Sequence, residues 1–307
     1  MDVSVIIVNY NTRVLLDNCL KSVYDMTHDV EFEIIVSDNG SRDGSIQMLK
    51  DKYPQVILIE NNANLGFGTA CNRGVKIARG KYIFYLNSDT ILLNNAIKYF
   101  YDYWESCPYK DTIGALGSNL VDADKNLMHS FGVFNTVHEC VRDRYHRAVA
   151  LTVKSVFKIL KKSWTKYTKK QIFDFYTGEV GFITGADLFV KNDENALFDE
   201  NIFLYGEDSE LQYRMKLKGL SRLIIDGPKI MHLEGQSDPS KNKDKTDLVA
   251  GYASFGEVHG SLSLVYFTKK YFGSFNALRL KIATFILWIN PVIFSHTRKY
   301  IKALFKV

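Results

Sequence analysis

The stretch YIFYLNSDT, residues 82–90, is a mostly apolar run that stops abruptly on Asn87-Ser88-Asp89. Packing gives no reason to hold a carboxylate at the tip of a stiff apolar strand. A rigid strand can, however, aim a carboxylate at a cation, and Mg²⁺ or Mn²⁺ pairs oxygen ligands with phosphate oxygens. Three other apolar runs end in the same manner. VSVIIVNY leads to Asn9-Tyr10-Asn11, FEIIVSDN to Ser37-Asp38-Asn39-Gly40, and QVILIEN to Asn61-Asn62-Ala63-Asn64. Any one such ending is ordinary turn chemistry. Four together outline a single polar rim.

The elements that must position this rim alternate along the first 120 residues. Strands are expected at 3–10, 32–39, 55–61, 81–87 and 112–121, where β-branched and aromatic residues run together. Helices are expected at 12–24, 45–52, 66–78 and 94–105, with Leu15, Leu16, Cys19, Leu20 and Val23 on one face of the first. Alternation of this kind predicts an α/β fold with a mostly parallel, Rossmann-like sheet flanked by helices. Ligands of such sheets bind outside the carboxyl ends of the strands. A dinucleotide fold would carry G-x-G-x-x-G after the first strand, but VNYNTRV has no glycine. No G-x-x-x-x-G-K-[ST] occurs either. A carboxylate-held divalent cation, with Asp89 as its ligand, is the natural substitute for a glycine-rich phosphate nest.

Apolar and charged fractions of 46% and 24% are ordinary for a globular chain. Cys19, Cys71, Cys107 and Cys140 are scattered, with no C-x-x-C, so neither a zinc site nor a disulfide framework is expected. A reducing, cytoplasmic setting follows. MDVSVIIVNYN has no basic leader and reads as a strand from the outset. The net charge of +5 is unevenly distributed: Arg142–Lys170 carries +9, Lys269–Val307 carries +8, and the remainder −12. Two basic appendages on an acidic body point to a polyanion or an anionic membrane surface.

In chain order, VSVIIVNYN, VSDNGSRDGS, NANLGFGTACNRG, YLNSDT, FLYGEDSELQYRMKLKG and HLEGQS resemble family 2 glycosyltransferases of the GT-A fold, in particular their rhamnosyltransferase-like branch. The resemblance spans roughly residues 3–237. It implies sugar transfer from a nucleotide diphospho-sugar to an acceptor hydroxyl. Asp38 matches the position that reads the base, where a carboxylate accepts the N3–H of uracil or thymine. Asn9 and Asn11 match the wall beside base and ribose. Asn64, Gly66 and Asn72-Arg73-Gly74 match the nucleotide lining, with Arg73 toward a phosphate. Asn87-Ser88-Asp89 matches the family's D-x-D metal motif with its first carboxylate replaced. Asn87 then serves a ribose hydroxyl, Ser88 lies beside it, and Asp89 is the lone carboxylate ligand of Mn²⁺ or Mg²⁺. His232 fits the late H-x-x-G-x-S element and completes the metal set; read alone, it is a plain hydrogen-bonded histidine. Glu207 and Asp208 match the acceptor-side acids, Asp208 being the general base of an inverting displacement and Glu207 its alternate. Read alone, the pair caps a helix. GFITGADLFVKN (181–192) matches the segment beneath the donor sugar.

The expected organisation is a catalytic domain over 1–240, interrupted by a basic amphipathic insertion at about 140–172, and a basic helical segment over 241–307. Over 149–164, Val149, Val153, Val156, Phe157, Leu160 and Trp164 would share one helical face, opposite Lys154, Lys158, Lys161 and Lys162. That helix suits either a membrane surface or packing on the body. IATFILWINPVIF (282–294) is too short to span a bilayer, and its flanking Lys and Arg suit interfacial docking. A homo-oligomer interface is the alternative. The expected partners are a dTDP- or UDP-sugar, a lipid-linked or polysaccharide acceptor and the inner face of the cell membrane. No nucleic-acid recognition motif is present. Two other functions compete: a sugar-nucleotide nucleotidylyltransferase, which would carry a G-x-G-T-R-like loop where NYNTRV stands, and a non-catalytic partner that keeps the fold.

Overall fold

The computed structural model describes residues 1–159, 173–233 and 252–307. The expected face positions Leu160 and Trp164, and residues 234–237 of HLEGQS, lie outside them, as do the side chains of Val156, Phe157 and Lys158.

The alternation predicted from sequence is present. Strand β1 (Val3–Asn9) leads to helix α1 (Arg13–Met26), β2 (Phe32–Asp38) to α2 (Ser45–Lys52), and β3 (Ile57–Glu60) to α3 (Phe67–Val75). Then come β4 (Tyr82–Leu86), β5 (Thr90–Leu92), α4 (Ala96–Ser106), β6 (Ile113–Gly117) and β7 (Phe131–Gly132). Helix α5 (Val137–Ile159) precedes β8 (Gly178–Glu179), β9 (Phe182–Ile183) and β10 (Asp187–Lys191). Helix α6 (Glu207–Leu217), β11 (Ser221–Ile224), β12 (Ile230–His232) and α7 (Phe255–Trp288) follow, then the short α8 (Phe294–Thr297) and α9 (Ile301–Lys306).

The main sheet has the order β3-β2-β1-β4-β10-β6-β11-β8. Strands β3, β2, β1 and β4 are parallel, as are β6 and β11, while β10 runs against β4 and β6. The direction of β10 matters. Parallel strands bring their carboxyl ends to one edge, and an antiparallel strand brings its first residue there. Asp187 therefore lies opposite Leu86. The expected strand over 112–121 stops at Gly117, because the Ser118 backbone N–H turns to the Asp187 carboxylate at 2.8 Å.

Apolar side chains fill both faces of the sheet. On one, Phe189 of β10 stacks on Phe100 and Tyr82, and its neighbours include Phe84 and Trp104. All five rings are buried. On the other, Ile6, Ile35, Ile83 and Leu188 meet Cys71, Phe198, Leu211 and Met215. The four cysteines are free thiols.

The chain divides into two compact units: Met1–Phe134 with Ile172–Phe203 and Glu207–Ser237, and Asn135–Gln171 with Leu204–Gly206 and Asp238–Val307. The described part of the insertion, in α5, thus groups with the tail. In this second unit α5 lies against α7, joined by the Arg147–Glu257 ion pair at 3.0 Å and by Asn290 donating to Thr152 at 2.9 Å. Of the apolar face expected over 149–164, Val149 is exposed and Val153 half-buried. Val141, Arg144 and Leu151 are buried. The helix begins at Val137, and the stripe that meets α7 runs along its i, i+3, i+7 spacing from Val141.

Phe189→Ala should lower stability by about 3–5 kcal/mol, since it empties the centre of the aromatic cluster. Urea denaturation checks this, and Phe189→Leu should lose clearly less.

Candidate active site

The rim begins at Asn9 and Asp38, register partners at the ends of β1 and β2. Both are fully buried. Asn9 Nδ2 donates to Asp38 Oδ2 at 2.6 Å and to Ser41 Oγ at 2.9 Å. Asp38 Oδ1 accepts from the Gly40 and Ser41 backbone N–H groups at 3.0 and 2.8 Å. Asp38 therefore shapes its own loop, and three donors satisfy its charge. Asn11 closes that loop. Its backbone is left-handed (φ 55°), its N–H donates to Ser41 Oγ, and its Oδ1 accepts from Arg42 N.

A second cluster follows β3. Asn61 donates to Ser37 Oγ and Asn39 Oδ1 and accepts from Arg73 Nη1 at 2.9 Å. Asn64 Oδ1 accepts from the Gly66 N–H. Gly66 takes φ +84°, and a Cβ there would stand 2.2 Å from the Phe203 carbonyl oxygen. The space beside this glycine is filled by the chain's own backbone.

Thr12 ties the first cluster to the metal-motif turn. Its Oγ1 donates to Asn9 Oδ1 at 2.6 Å and lies 2.9 Å from Ser88 Oγ. Asn87 anchors the turn through its backbone, donating to Ala186 O and accepting from Thr90 Oγ1. Beyond it, Thr90 of β5 pairs with His232 of β12. That pairing, between residues 142 positions apart in the sequence, places His232 Nε2 3.2 Å from Asp89 Oδ1. Asp89 is buried and His232 nearly so. Imidazole nitrogen and carboxylate oxygen facing one another form a donor set that fits Mn²⁺ well and Mg²⁺ less well. Among the described residues no group of three or more His, Cys, Asp or Glu is placed to hold a metal ion. A cation held by these two would take its remaining ligands from phosphate oxygens or water.

The acidic pair opens α6, after Tyr205 (φ 62°) and Gly206 (φ 93°) turn the chain. Asp208 and Glu207 have different surroundings. Asp208 Oδ2 accepts from the Gly185 N–H at 3.0 Å, and Oδ1 from the Ser209 N–H at 2.7 Å. Glu207 is buried, and its Oε2 has no hydrogen-bond partner among the described residues. Burial, followed by the neighbouring Asp208 charge, pushes the Glu207 carboxyl well up. Burial also raises Asp208, against the pull of those backbone donors. Glu207 is held toward its neutral form, and Asp208 is the member whose charge is hydrogen-bonded.

Sequence reasoning singled out the 181–192 segment but not Asp187 within it. Asp187 is fully buried at the rim, and its Oδ2 accepts from Ser118 N and Oγ at 2.8 and 2.6 Å. Its Oδ1 has no partner among the described residues. Burial pushes the carboxyl up to about 7, although Ser118 and the nearby His232 pull it down. Its signal was the one that marked Asp89: a carboxylate at one end of an apolar run, here DLFV. Thr12 and Ser41 were also missed, because hydroxyls in turns carry no distinctive spacing.

The Glycosyl transferase family 2 model matches residues 4–186. The chain belongs to glycosyl transferase family 2. It is 24% identical over 255 residues to the N-acetylglucosaminyl-diphospho-decaprenol L-rhamnosyltransferase of Mycobacterium tuberculosis, covering 78% of this chain and 79% of that protein. It is 35% identical over 121 residues to the poly(ribitol-phosphate) beta-glucosyltransferase of Bacillus spizizenii, covering 38% of this chain but only 19% of that protein. Among solved structures it resembles the mannosyltransferase PcManGT of Pyrobaculum calidifontis, in complex with GDP-Man and Mn²⁺. That likeness has a TM-score of 0.52 at 16% identity and covers 98% of this chain and 75% of the other. The fold is GT-A, and the chain is a glycosyltransferase.

Asp187 gives the site a pH signature. Its folded carboxyl keeps a proton that the unfolded chain releases above about pH 4. This group's contribution to stability is therefore present at low pH and falls as pH rises from about 4 to about 7, then levels off. In EDTA, denaturation at pH 5 and pH 8 should show wild type losing on the order of 1–3 kcal/mol relative to Asp187→Asn.

Proposed function

We propose that the protein is an inverting, metal-dependent hexosyltransferase. It moves a sugar, rhamnose being the first candidate, from a dTDP- or UDP-sugar to a hydroxyl of a lipid-linked or cell-surface polysaccharide. The observation that carries this reading is the convergence of three acids and a histidine at one sheet edge: Asp38 on β2, Asp89 and His232 across β5 and β12, and Asp208 held by Gly185. The mycobacterial relative's name describes a polyprenyl-diphosphate acceptor, which supports a lipid-linked substrate here.

Each residue's role follows from its surroundings. Among the described residues Asp38 Oδ2 accepts one hydrogen bond, which leaves a lone pair for the N3–H of uracil or thymine. Asn11 and Asn87 flank the ribose, and Arg73 meets a phosphate. Asp89 and His232 would hold a divalent cation, Mn²⁺ or Mg²⁺, whose charge stabilises the departing nucleoside diphosphate. Asp208, ionised and oriented by two backbone N–H groups, accepts the proton of the acceptor hydroxyl as its oxygen attacks the anomeric carbon. Glu207, neutral beside it, keeps a second charge out of that pocket. The reaction takes place on the cytoplasmic side, with the protein peripheral to the inner membrane face.

Donor turnover should be screened across dTDP- and UDP-sugars with Mn²⁺, Mg²⁺ or EDTA. One donor should release nucleoside diphosphate only with metal. Asp208→Asn should lower kcat by about 10²–10⁴-fold with a small change in donor KM. Glu207→Gln, which keeps the neutral form, should lower it far less. A larger loss in Glu207→Gln than in Asp208→Asn would move the base to Glu207. No nucleotide binding with metal present would favour the non-catalytic reading.

A further inference from the structure

The second unit carries an apolar face that its own core does not use. Past Gly273, where the backbone leaves helical geometry (φ 85°, ψ 165°), α7 shows two sides. Leu280, Ala283, Leu287 and Trp288 are buried in the core of the unit. On the other side Phe275 is 74% exposed, Leu278 50%, Ile282 44%, Ile286 39% and Ile289 43%. Steps of three, four, four and three residues align all five along one stripe of about four turns. Scattered exposed apolar residues are normal on any surface, but a continuous stripe is not.

The charge around the stripe is of one sign. Arg279 and Lys281 fall on its two edges, and Lys302 and Lys306 are exposed on α9 beside the exposed Phe305. From Lys269 to Val307 there are eight Lys or Arg and no acid. A second copy of the chain would bring the same cations to a paired face, and like charges would oppose the pairing. A neutral apolar partner would leave the cations unused. No helix among the described residues is long and apolar enough to cross a membrane. A helix with an apolar stripe and cationic edges is suited to lying in the plane of an interface.

We propose that this face of α7 docks on an anionic lipid bilayer, with Phe275, Leu278 and Ile282 entering the headgroup–acyl boundary and the cations meeting lipid phosphates. This deepens the peripheral location proposed above but rests on a separate observation, and it holds whatever sugar is transferred. It also relocates the contact expected from sequence. The stretch 282–294 is split, with Ala283, Leu287, Trp288 and Ile293 committed to the core and Ile282, Ile286 and Ile289 left outside.

Flotation of the full chain with vesicles tests the proposal, using phosphatidylcholine alone and phosphatidylcholine with roughly 30% phosphatidylglycerol. Wild type should float with the anionic vesicles, weaken in high salt and stay behind with the neutral ones. Phe275→Ser/Leu278→Gln/Ile282→Ser should lose anionic binding by about tenfold or more while keeping its melting temperature and its donor hydrolysis. Arg279→Gln/Lys281→Gln should lose the salt-sensitive part. Failure of wild type to float overturns the proposal, as does unchanged flotation of the triple variant. A dimer that becomes monomeric in the triple variant without vesicles would assign the face to a second copy instead. Donor hydrolysis, read separately, shows whether the transfer reading stands.

Discussion

The rim hangs on one buried hydrogen bond, from Asn9 Nδ2 to Asp38 Oδ2 at 2.6 Å. It joins the ends of two parallel strands at positions closed to water, so neither group has an alternative partner in solvent. The turn after β2 takes its shape from Asp38, which fixes Gly40 and Ser41. Asn9 in turn accepts from Thr12, and Thr12 meets Ser88. The next residue is Asp89. The carboxylate proposed to read a base and the one proposed to hold a metal are thus linked through three polar side chains, Asn9, Thr12 and Ser88, each bonded to the next, and the peptide bond from Ser88 to Asp89. Loss of the first bond would leave the buried Asp38 Oδ2 without its Asn9 donor and loosen the turn and the chain of bonds attached to it.

Carboxyls on this edge are sorted by environment. Asp38 accepts from three donors. Among the described residues Asp187 and Glu207 each have a buried oxygen without a hydrogen-bond partner, and both are pushed toward the neutral form. Asp208 lies between these extremes, raised by burial yet supported by two backbone N–H groups. A site that must receive an anionic diphosphate cannot hold every acid ionised. Here fewer charges are kept than acids are present, and the charge retained is where protein donors already stabilise it.

Much of the first unit was legible in the sequence because its signals are local. Apolar runs of strand length alternate with amphipathic segments, and each run ends on polar residues that parallel pairing must bring to one edge. The antiparallel insertion of β10 was not legible. A short DLFVK run looks the same in either direction, and only the pairing with Leu86 and Leu116 shows that its first residue reaches the rim. The D-x-D resemblance pointed to Asp89, but the approach of His232 depends on the β5–β12 pair, which is long-range. The second unit was read less well. In α5 the apolar stripe opposite the lysines includes the exposed Val149, while the contact with α7 buries Val141 and Leu151. Composition reports that basic helices exist; the packing partner determines which stripe stays outside.

The account depends most on Asp89 and His232 serving a cation that the diphosphate shares. Calorimetric titration of dTDP and of UDP, with Mn²⁺ and with EDTA, tests this most directly. The account predicts saturable binding of at least one of them with Mn²⁺, lost in EDTA and lost in Asp89→Ala. Equal binding in EDTA, or Mn²⁺-dependent binding that survives in both Asp89→Ala and His232→Ala, would contradict it.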